Sequence, residues 1–435
     1  MEILLAVLLL AAAGFGVWFW LIAAAGTAYK AKILCSALFV SGRELDAERA
    51  PEISADSYGL LTLFGATVDR ERKRVSASFW GLRRRTAVYR PGLGATLAIG
   101  PLAAVSVPSP AAVASELPVE QRASLSEVLK ESFAESAPHA RRTRAVVIWQ
   151  DGRIVGERYG ELSPETPLPG WSMSKSVFAA LAGALISEGS LSLDAKDLLP
   201  EWSGDARSQI TVEDLLRMRS GLRFAERYSN PLSDVVQMLF NRADAGGYAA
   251  RRPLESPPGT VFDYSSGTSN ILSLIMRRRL GDERYWALPR RALFDPLGMP
   301  RALIEPDASG TFVASSFAFA TAREWTRFGA LWAQDGLWEG RRLLPEGWTR
   351  FCATPTPQSG GRYGAHWWLK LHDGLGGSTP EAASLPPDAM HALGHEGQCL
   401  TVIPSRKLVA LRLGLSIYLD GWNHARFLAR VLDAL

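Results

Sequence analysis

The chain has 435 residues, 47% of them hydrophobic and 21% charged, a globular balance that excludes a largely disordered protein. Its formal net charge is only +4, so no nucleic-acid partner is expected. Cys35, Cys352 and Cys399 are too far apart in sequence to write a CxxC metal site or a disulfide framework. Of the 48 basic residues only eight are lysines, which gives weight to any lysine found inside a motif.

The first element is apolar. No charged residue occurs between Ile3 and Tyr29, a run long enough to cross a bilayer at about 1.5 Å per residue. Trp18 and Trp20 suit a membrane interface. Residues 1–29 are therefore expected to be a transmembrane anchor or a signal segment. The uncleaved single-pass anchor is favoured, because Glu2 stands where a signal peptide carries Lys or Arg and the run exceeds the usual apolar core. Ala23, Ala24 and Ala25 keep the cleavage reading open. Lys30, Lys32 and Arg43 follow the span, and taken literally they place the bulk of the chain in the cytoplasm. Long domains translocate regardless of such charges.

Residues 30–115 read as a prefix that is partly β, with strands expected at 59–68 and 75–80 around the charged turn 69–74. Arg83-Arg84-Arg85 reads as a solvated face, with contact to anionic lipid as the alternative. Residues 107–112, Val-Pro-Ser-Pro-Ala-Ala, read as a linker. Residues 116–435 are expected to form the main domain. It opens with helical spacing over 123–134 and a strand at 145–149. Asp151-Gly152 then marks a hairpin turn, and the returning strand covers 154–159. A long apolar helix is expected from about Ser172 to Ile186, stopped by Gly189. Residues 210–300 are mainly helix and loop. Strands return at 400–403 and 408–413, and an amphipathic helix closes the chain at 423–435. Strands at both ends with helices between imply an α/β fold whose sheet joins distant segments.

Three segments carry chemistry. In Trp171-Ser172-Met173-Ser174-Lys175-Ser176, Ser172 and Lys175 stand at i and i+3 on one helix face. The apolar residues that follow imply that Lys175 enters a buried wall, where desolvation lowers a lysine pKa and suits it as a base towards a nearby hydroxyl. Standing alone, a Ser N-cap with a surface lysine is the better reading of this spacing. In Asp263-Tyr264-Ser265-Ser266-Gly267 a turn delivers Tyr264 just ahead of an apolar helix; alone, a core tyrosine with a satisfied hydroxyl is the better reading. Gly394-His395-Glu396-Gly397-Gln398 precedes a strand and suits a strand edge lining a cleft, with Gly397 admitting close approach of substrate to the backbone. His391 and His395 would share a strand face but lack a third metal ligand, so no metal is expected.

The order of these segments resembles the serine β-lactamase and penicillin-binding-protein superfamily, whose elements are Ser-x-x-Lys, Tyr-x-Asn or Tyr-x-Ser, and Lys-Thr-Gly or His-x-Gly. The matching positions are Ser172/Lys175, Tyr264/Ser266 and His395/Gly397. Residues 210–222 and Leu344-Pro345-Glu346-Gly347-Trp348 resemble further phrases of the family. The likeness covers about residues 120–435 and is greatest to the class C-like branch that contains 6-aminohexanoate-dimer hydrolase and related esterases.

The resemblance implies a β-lactamase/transpeptidase-like fold, an antiparallel sheet flanked by helices plus an all-helical part. It implies Ser172 as acylated nucleophile, Lys175 as its proton acceptor, and Tyr264 as the proton donor to the leaving group. Backbone N–H groups of Ser172 and Gln398 would form the oxyanion hole, and Ser266, His395, Gly397 and Tyr228 would contact substrate. No cofactor is implied. The implied activity is hydrolysis of a small amide or ester through an acyl-enzyme, in a domain expected to be periplasmic. The alternative is a penicillin-binding or peptidoglycan-peptide sensor that is acylated without efficient turnover. His395, where β-lactamases carry the lysine that binds the substrate carboxylate, weakens a β-lactam specificity.

Overall fold

The computed structural model describes residues 2–44, 46, 50–111, 116–135 and 138–435. Within the first helix the side chains of residues 2–4, 6–13, 15 and 18 are outside the description, so the interfacial role expected of Trp18 falls outside it. So does Ala112 at the end of the expected linker.

The central sheet has five strands, all antiparallel. Strands β5 (Thr143–Gln150) and β6 (Arg153–Tyr159) form a hairpin, and β7 (Met390–Gly394), β8 (Gln398–Ile403) and β9 (Leu408–Gly414) form a meander. Their spatial order is β7-β8-β9-β5-β6, so the first and last parts of the domain meet at the β9–β5 seam. The hairpin turn falls at Asp151-Gly152, both with positive φ, as the sequence predicts.

Period-two alternation makes both faces of β5 apolar. Ala145, Val147 and Trp149 face one core. Val146 and Ile148 face another. The first core holds helix α3 (Met173–Ser187) and helix α6 (Ala322–Ala333). The second holds helix α2 (Ser126–Phe133) and helix α7 (His424–Ala434). Helix α4 (Asp234–Asn241) and helix α5 (Ser266–Leu280) belong to the helical part. This is the helix-flanked antiparallel sheet with an all-helical part that the resemblance implies.

The prefix is not a separate bead. Helix α1 runs unbroken from Glu2 to Phe39, through the boundary expected at Tyr29. From Ala23 onward its side chains are mostly buried. The stretch Phe19–Phe39 is long and apolar enough to cross a membrane, yet most of it is buried inside the protein. It lies across a second antiparallel sheet of β1 (Gly65–Asp69), β2 (Arg74–Phe79), β3 (Leu82–Arg90) and β4 (Gly94–Leu97). The strand expected at 59–68 starts only at Gly65; residues 56–63 form a 3-10 helix instead. That turn points Tyr58 into the main domain, which a pleated strand at the sheet edge would not do.

Two links fasten α1 to the main domain. Lys32 Nζ forms a fully buried ion pair with Glu305, and Ser36 Oγ donates to the other oxygen of that carboxylate at 2.9 Å. Tyr29 packs on Phe240 of α4, ring centroids 5.2 Å apart.

Candidate active site

Helix α3 is apolar on almost every side and buried for nearly its whole length. Ser172 occupies its N-cap position, but the hydroxyl makes no capping bond. It accepts a hydrogen bond from Lys175 Nζ at 3.0 Å. Lys175 is buried, and its Nζ has two further partners, Ser266 Oγ at 3.1 Å and the carbonyl of Ser315 at 3.2 Å.

Ser266 opens α5, whose first turn is capped by Ser265 accepting from Thr268 N. The Ser266 hydroxyl donates to Glu226 Oε1 at 2.6 Å and its backbone N–H donates to Oε2 at 2.9 Å. A continuous path therefore runs from Ser172 through Lys175 and Ser266 to Glu226. Burial pushes the Glu226 carboxyl above its ordinary range, against the pull of Lys175 and the two Ser266 bonds. Tyr264 meets Lys175 through its ring face, with Nζ 4.8 Å from the centroid. Its ring also leans on Trp368 at 5.0 Å.

The opposite wall is the turn between β7 and β8. His395, Glu396 and Gly397 form a tight 3-10 turn rather than part of a strand, because Glu396 and Gly397 both take positive φ. Gly394 rests on the segment leading to Ser172: a Cβ at 394 would fall 2.1 Å from the Gly170 carbonyl oxygen. This backbone contact holds the turn, and Gln398 after it, beside the start of α3. The glycine at 397 also meets a local structural demand. Its φ is +76°, and a Cβ there would meet Arg412 Nη1 at 2.6 Å, so the tight turn and its arginine support both require glycine. Arg412 donates to the Gly397 carbonyl at 2.8 Å and supports the turn from beneath.

His395 stacks on Tyr228, centroids 5.1 Å apart and rings 13° from parallel. Burial pushes its imidazole down to about 4, so it is neutral at pH 7. Burial and the Glu226 charge hold the Tyr228 phenol well above the usual tyrosine range. His391 does not share the face of His395: it is buried, and its Nδ1 meets Thr401 Oγ1 at 2.8 Å. Ser172, Glu226, Tyr228, Tyr264, His395 and Gly397 all line one cleft of about 240 Å³.

The sequence reading misses three members of this arrangement. Glu226 and the Ser315 carbonyl come from loops with no motif spacing to Lys175. Tyr58 comes from the prefix, and its hydroxyl meets His395 Nε2 at 2.8 Å and donates to Glu396 Oε1 at 3.0 Å. The acid two residues before Tyr228 was the only available signal for Glu226; nothing marked Tyr58.

Comparison with known proteins finds relatives for the part of the chain that holds this cleft. The family model described as Beta-lactamase matches residues 131–418. A 6-aminohexanoate-dimer hydrolase of Paenarthrobacter ureafaciens is 27% identical over 223 residues, 47% of this chain and 56% of that protein. The chain thus spans little more than half the length of that relative. Among solved structures, a penicillin-binding protein homolog from Caulobacter crescentus superposes with a TM-score of 0.55 at 20% identity, over 72% of this chain and 97% of that one. A penicillin binding protein from Bacillus halodurans gives 0.52 at 17% identity, over 71% and 99%. At such identities the likeness speaks for the fold. With the match to the family model extending from α2 to the loop after β9, the chain belongs to the beta-lactamase family.

Proposed function

We propose that this protein is a serine hydrolase that cleaves a small amide or ester through an acyl-enzyme. One observation carries the reading: Lys175 Nζ stands 3.0 Å from Ser172 Oγ and is held there by Ser266 and the Ser315 carbonyl. A nucleophile within hydrogen-bond reach of a base that is itself oriented by further groups is the arrangement activated hydroxyls need.

In this reading Ser172 Oγ attacks the substrate carbonyl and passes its proton to Lys175 as free base. The lysine keeps its bonds to Ser266 and Ser315 while its lone pair receives the proton. The charge that develops on the carbonyl oxygen is met by the backbone N–H groups of Ser172 and Gln398; such a donor is worth about 3–4 kcal/mol in the transition state. Tyr264, against Lys175, returns a proton to the leaving group. Water then releases the acid from Ser172. Ser266, Tyr228, His395 and Gly397 border the substrate. The neutral imidazole of His395 lacks the charge that would fix a β-lactam carboxylate, which favours uncharged amides and esters. Residues 116–435 hold the nucleophile and its partners. The N-terminal helix anchors the chain in a membrane by a single pass, with the catalytic domain on the periplasmic side.

The test is intact-protein mass of the full chain after mixing with a p-nitrophenyl ester and, separately, a penicillin, beside Ser172→Ala. A transient ester adduct with turnover that Ser172→Ala abolishes is the expected result. A persistent penicillin adduct at Ser172 without ester turnover would replace the hydrolase reading with that of a sensor. A reporter fused after Leu435 tests the topology: activity of a cytoplasm-only reporter would overturn the periplasmic placement.

A further inference from the structure

Helix α1 changes character along its length. Leu5, Val17, Trp20 and Leu21 are exposed, whereas Ala23, Ala24 and Ala25 are buried. Residues 2–21 make 20 helical positions, about 30 Å at 1.5 Å each, which matches the hydrocarbon thickness of a bilayer. The stretch of α1 ahead of the buried Ala23 is therefore about one membrane thickness long, and its described side chains are exposed except at Phe19 and Ile22.

Exposed apolar side chains stand beside this part of α1. The turn between β2 and β3 places Trp80 and Gly81 at its tip, both at positive φ, and Trp80 is 85% exposed. Leu82 next to it is exposed, as are Leu60 and Leu63 of the 3-10 helix. Phe79 ties this tip to α1: its ring is 5.0 Å from Phe19 and 5.8 Å from Phe64. The Arg83 guanidinium lies 4.9 Å over the Trp20 ring, and Thr27 Oγ1 donates to the Arg83 carbonyl at 3.0 Å. Large side chains pushed into water at the tip of a strained turn are costly unless another phase receives them. The strand leaving this tip carries the exposed Arg84 beside the half-buried Arg83 and Arg85, a charge that complements anionic headgroups.

We propose that the β2–β3 turn, with Leu60 and Leu63, is an interfacial seat for an anionic lipid bilayer, set at the height where α1 leaves the protein. This rests on the reading of α1 as a membrane anchor and adds to it a second, shallow contact that fixes the orientation of the catalytic domain. Tyr58, which reaches His395, lies on the same 3-10 helix as Leu63, five residues or about 10 Å away along its axis. The seat thus places the cleft close above the lipid.

The full chain is placed in nanodiscs of phosphatidylglycerol and phosphatidylcholine with an environment-sensitive fluorophore on Trp80→Cys or, separately, Leu60→Cys. Cys35, Cys352 and Cys399 are buried, so the label goes to the added thiol. Ser384→Cys, at an exposed position, is the control. The expected result is blue-shifted emission at 80 and at 60 but not at 384, quenched best by nitroxides about 5–10 Å below the headgroups. Charge-removing Arg83→Gln/Arg84→Gln is expected to weaken that quenching, as is replacing phosphatidylglycerol by phosphatidylcholine. A chain that elutes without lipid overturns the anchor reading and the seat with it. Incorporation with positions 80 and 60 as wet as 384 overturns the seat alone. A shift that follows the number of protein copies per disc, without nitroxide quenching, assigns the patch to a second copy and also overturns it.

Discussion

The indole Nε1 of Trp171 donates to Glu396 Oε2 at 3.0 Å, and both residues hold a left-handed backbone, with φ of 48° and 63°. Trp171 immediately precedes Ser172, and Glu396 lies two residues before Gln398. The two walls of the cleft are thus joined by one bond between two strained residues, each conformation costing about 1–3 kcal/mol. Burial pushes the Glu396 carboxyl up, while the bonds from Trp171 and Tyr58 and the charge of Arg144 pull it down. Trp171→Phe keeps the ring and removes the donor. Leaving the buried Glu396 oxygen short of a partner is expected to lower unfolding free energy by about 1–3 kcal/mol. Acylation slows because the two backbone donors lose their fixed spacing, so kcat falls more than KM rises. Denaturant melts and single-turnover kinetics check this; unchanged acylation would sink the linkage.

Glu226 gives opposite signs for activity and stability. Its carboxylate is the anion at the end of the Lys175–Ser266 path, so protonating it removes the charge that faces the lysine. Acylation is expected to fall on the acid side at a pH above the ordinary carboxylate range, in line with the raised pKa. Glu226→Gln is expected to lose that limb and to lower the plateau by about tenfold or more. For stability, a raised folded pKa means a contribution present below the unfolded carboxylate pKa and lost as pH rises through the folded one. The glutamine variant should therefore gain stability relative to the native chain as pH rises. A variant less stable at every pH by a constant amount would show that Glu226 acts only as a structural acceptor.

How much of this was legible in the sequence follows from what each residue depends on. The hairpin at Asp151-Gly152, α3 and the β8–β9 pair depend on local periodicity and turn chemistry, and all lie where the pattern puts them within a few residues. Ser172 and Lys175 sit one helical turn apart, so their meeting is a local fact. Glu226, Ser315 and Tyr58 reach the site only through tertiary folding, and no spacing announces them. The apolar stretch of α1 was ambiguous for a physical reason: lipid and a protein core ask for the same residues. Ala23, Ala24 and Ala25 suit a cleavage site, but Gly26 beside them lies against Phe64, where a Cβ would fall 2.6 Å from the ring. The small residues mark the point where the helix enters close contact.

His395 supplies a pH prediction with a definite window. Its folded pKa is about 4 against an ordinary 6.5, so the unfolded chain takes up a proton first as pH falls. The stability it contributes is complete above pH 6.5 and is lost as pH drops towards 4. Compared with His395→Gln, the native chain should lose ground by at most about 1.4 kcal/mol per pH unit in that window. Urea midpoints of both proteins from pH 7 to 4 check the difference, and a gap independent of pH would contradict a buried neutral imidazole.

Tyr58 connects the prefix to that imidazole. Tyr58→Phe removes the hydroxyl that meets both His395 Nε2 and Glu396 Oε1 and leaves the ring in place. Ser172 should still be acylated by a reactive ester, because Lys175 is untouched. With His395 held only by its ring contacts to Tyr228 and Trp171, KM for larger amides should rise by about an order of magnitude. Steady-state kinetics on a small ester and a bulkier amide separate the two effects, and equal losses on both would assign Tyr58 to folding instead.

Lys32 and Glu305 decide whether the prefix can be spared. Glu305 is fully buried and accepts from Lys32, from Ser36 Oγ and from the backbone of Ala95 at 2.7 Å, all of them in the prefix. Burial drives its carboxyl up and the Lys32 charge opposes that shift. Lys32→Met strands this carboxylate and should cost about 3–5 kcal/mol, whereas Lys32→Met/Glu305→Gln removes both charges and should recover most of the loss. Cutting the chain back to residues 116–435 removes all three donors at once, along with Tyr58 and the buried face of α1. The fragment is therefore expected to be insoluble or inactive even though it contains Ser172, Lys175 and Tyr264. Solubility, circular dichroism and ester turnover of the fragment beside the full chain check this, and a folded fragment with full turnover would show that the prefix is dispensable for the chemistry.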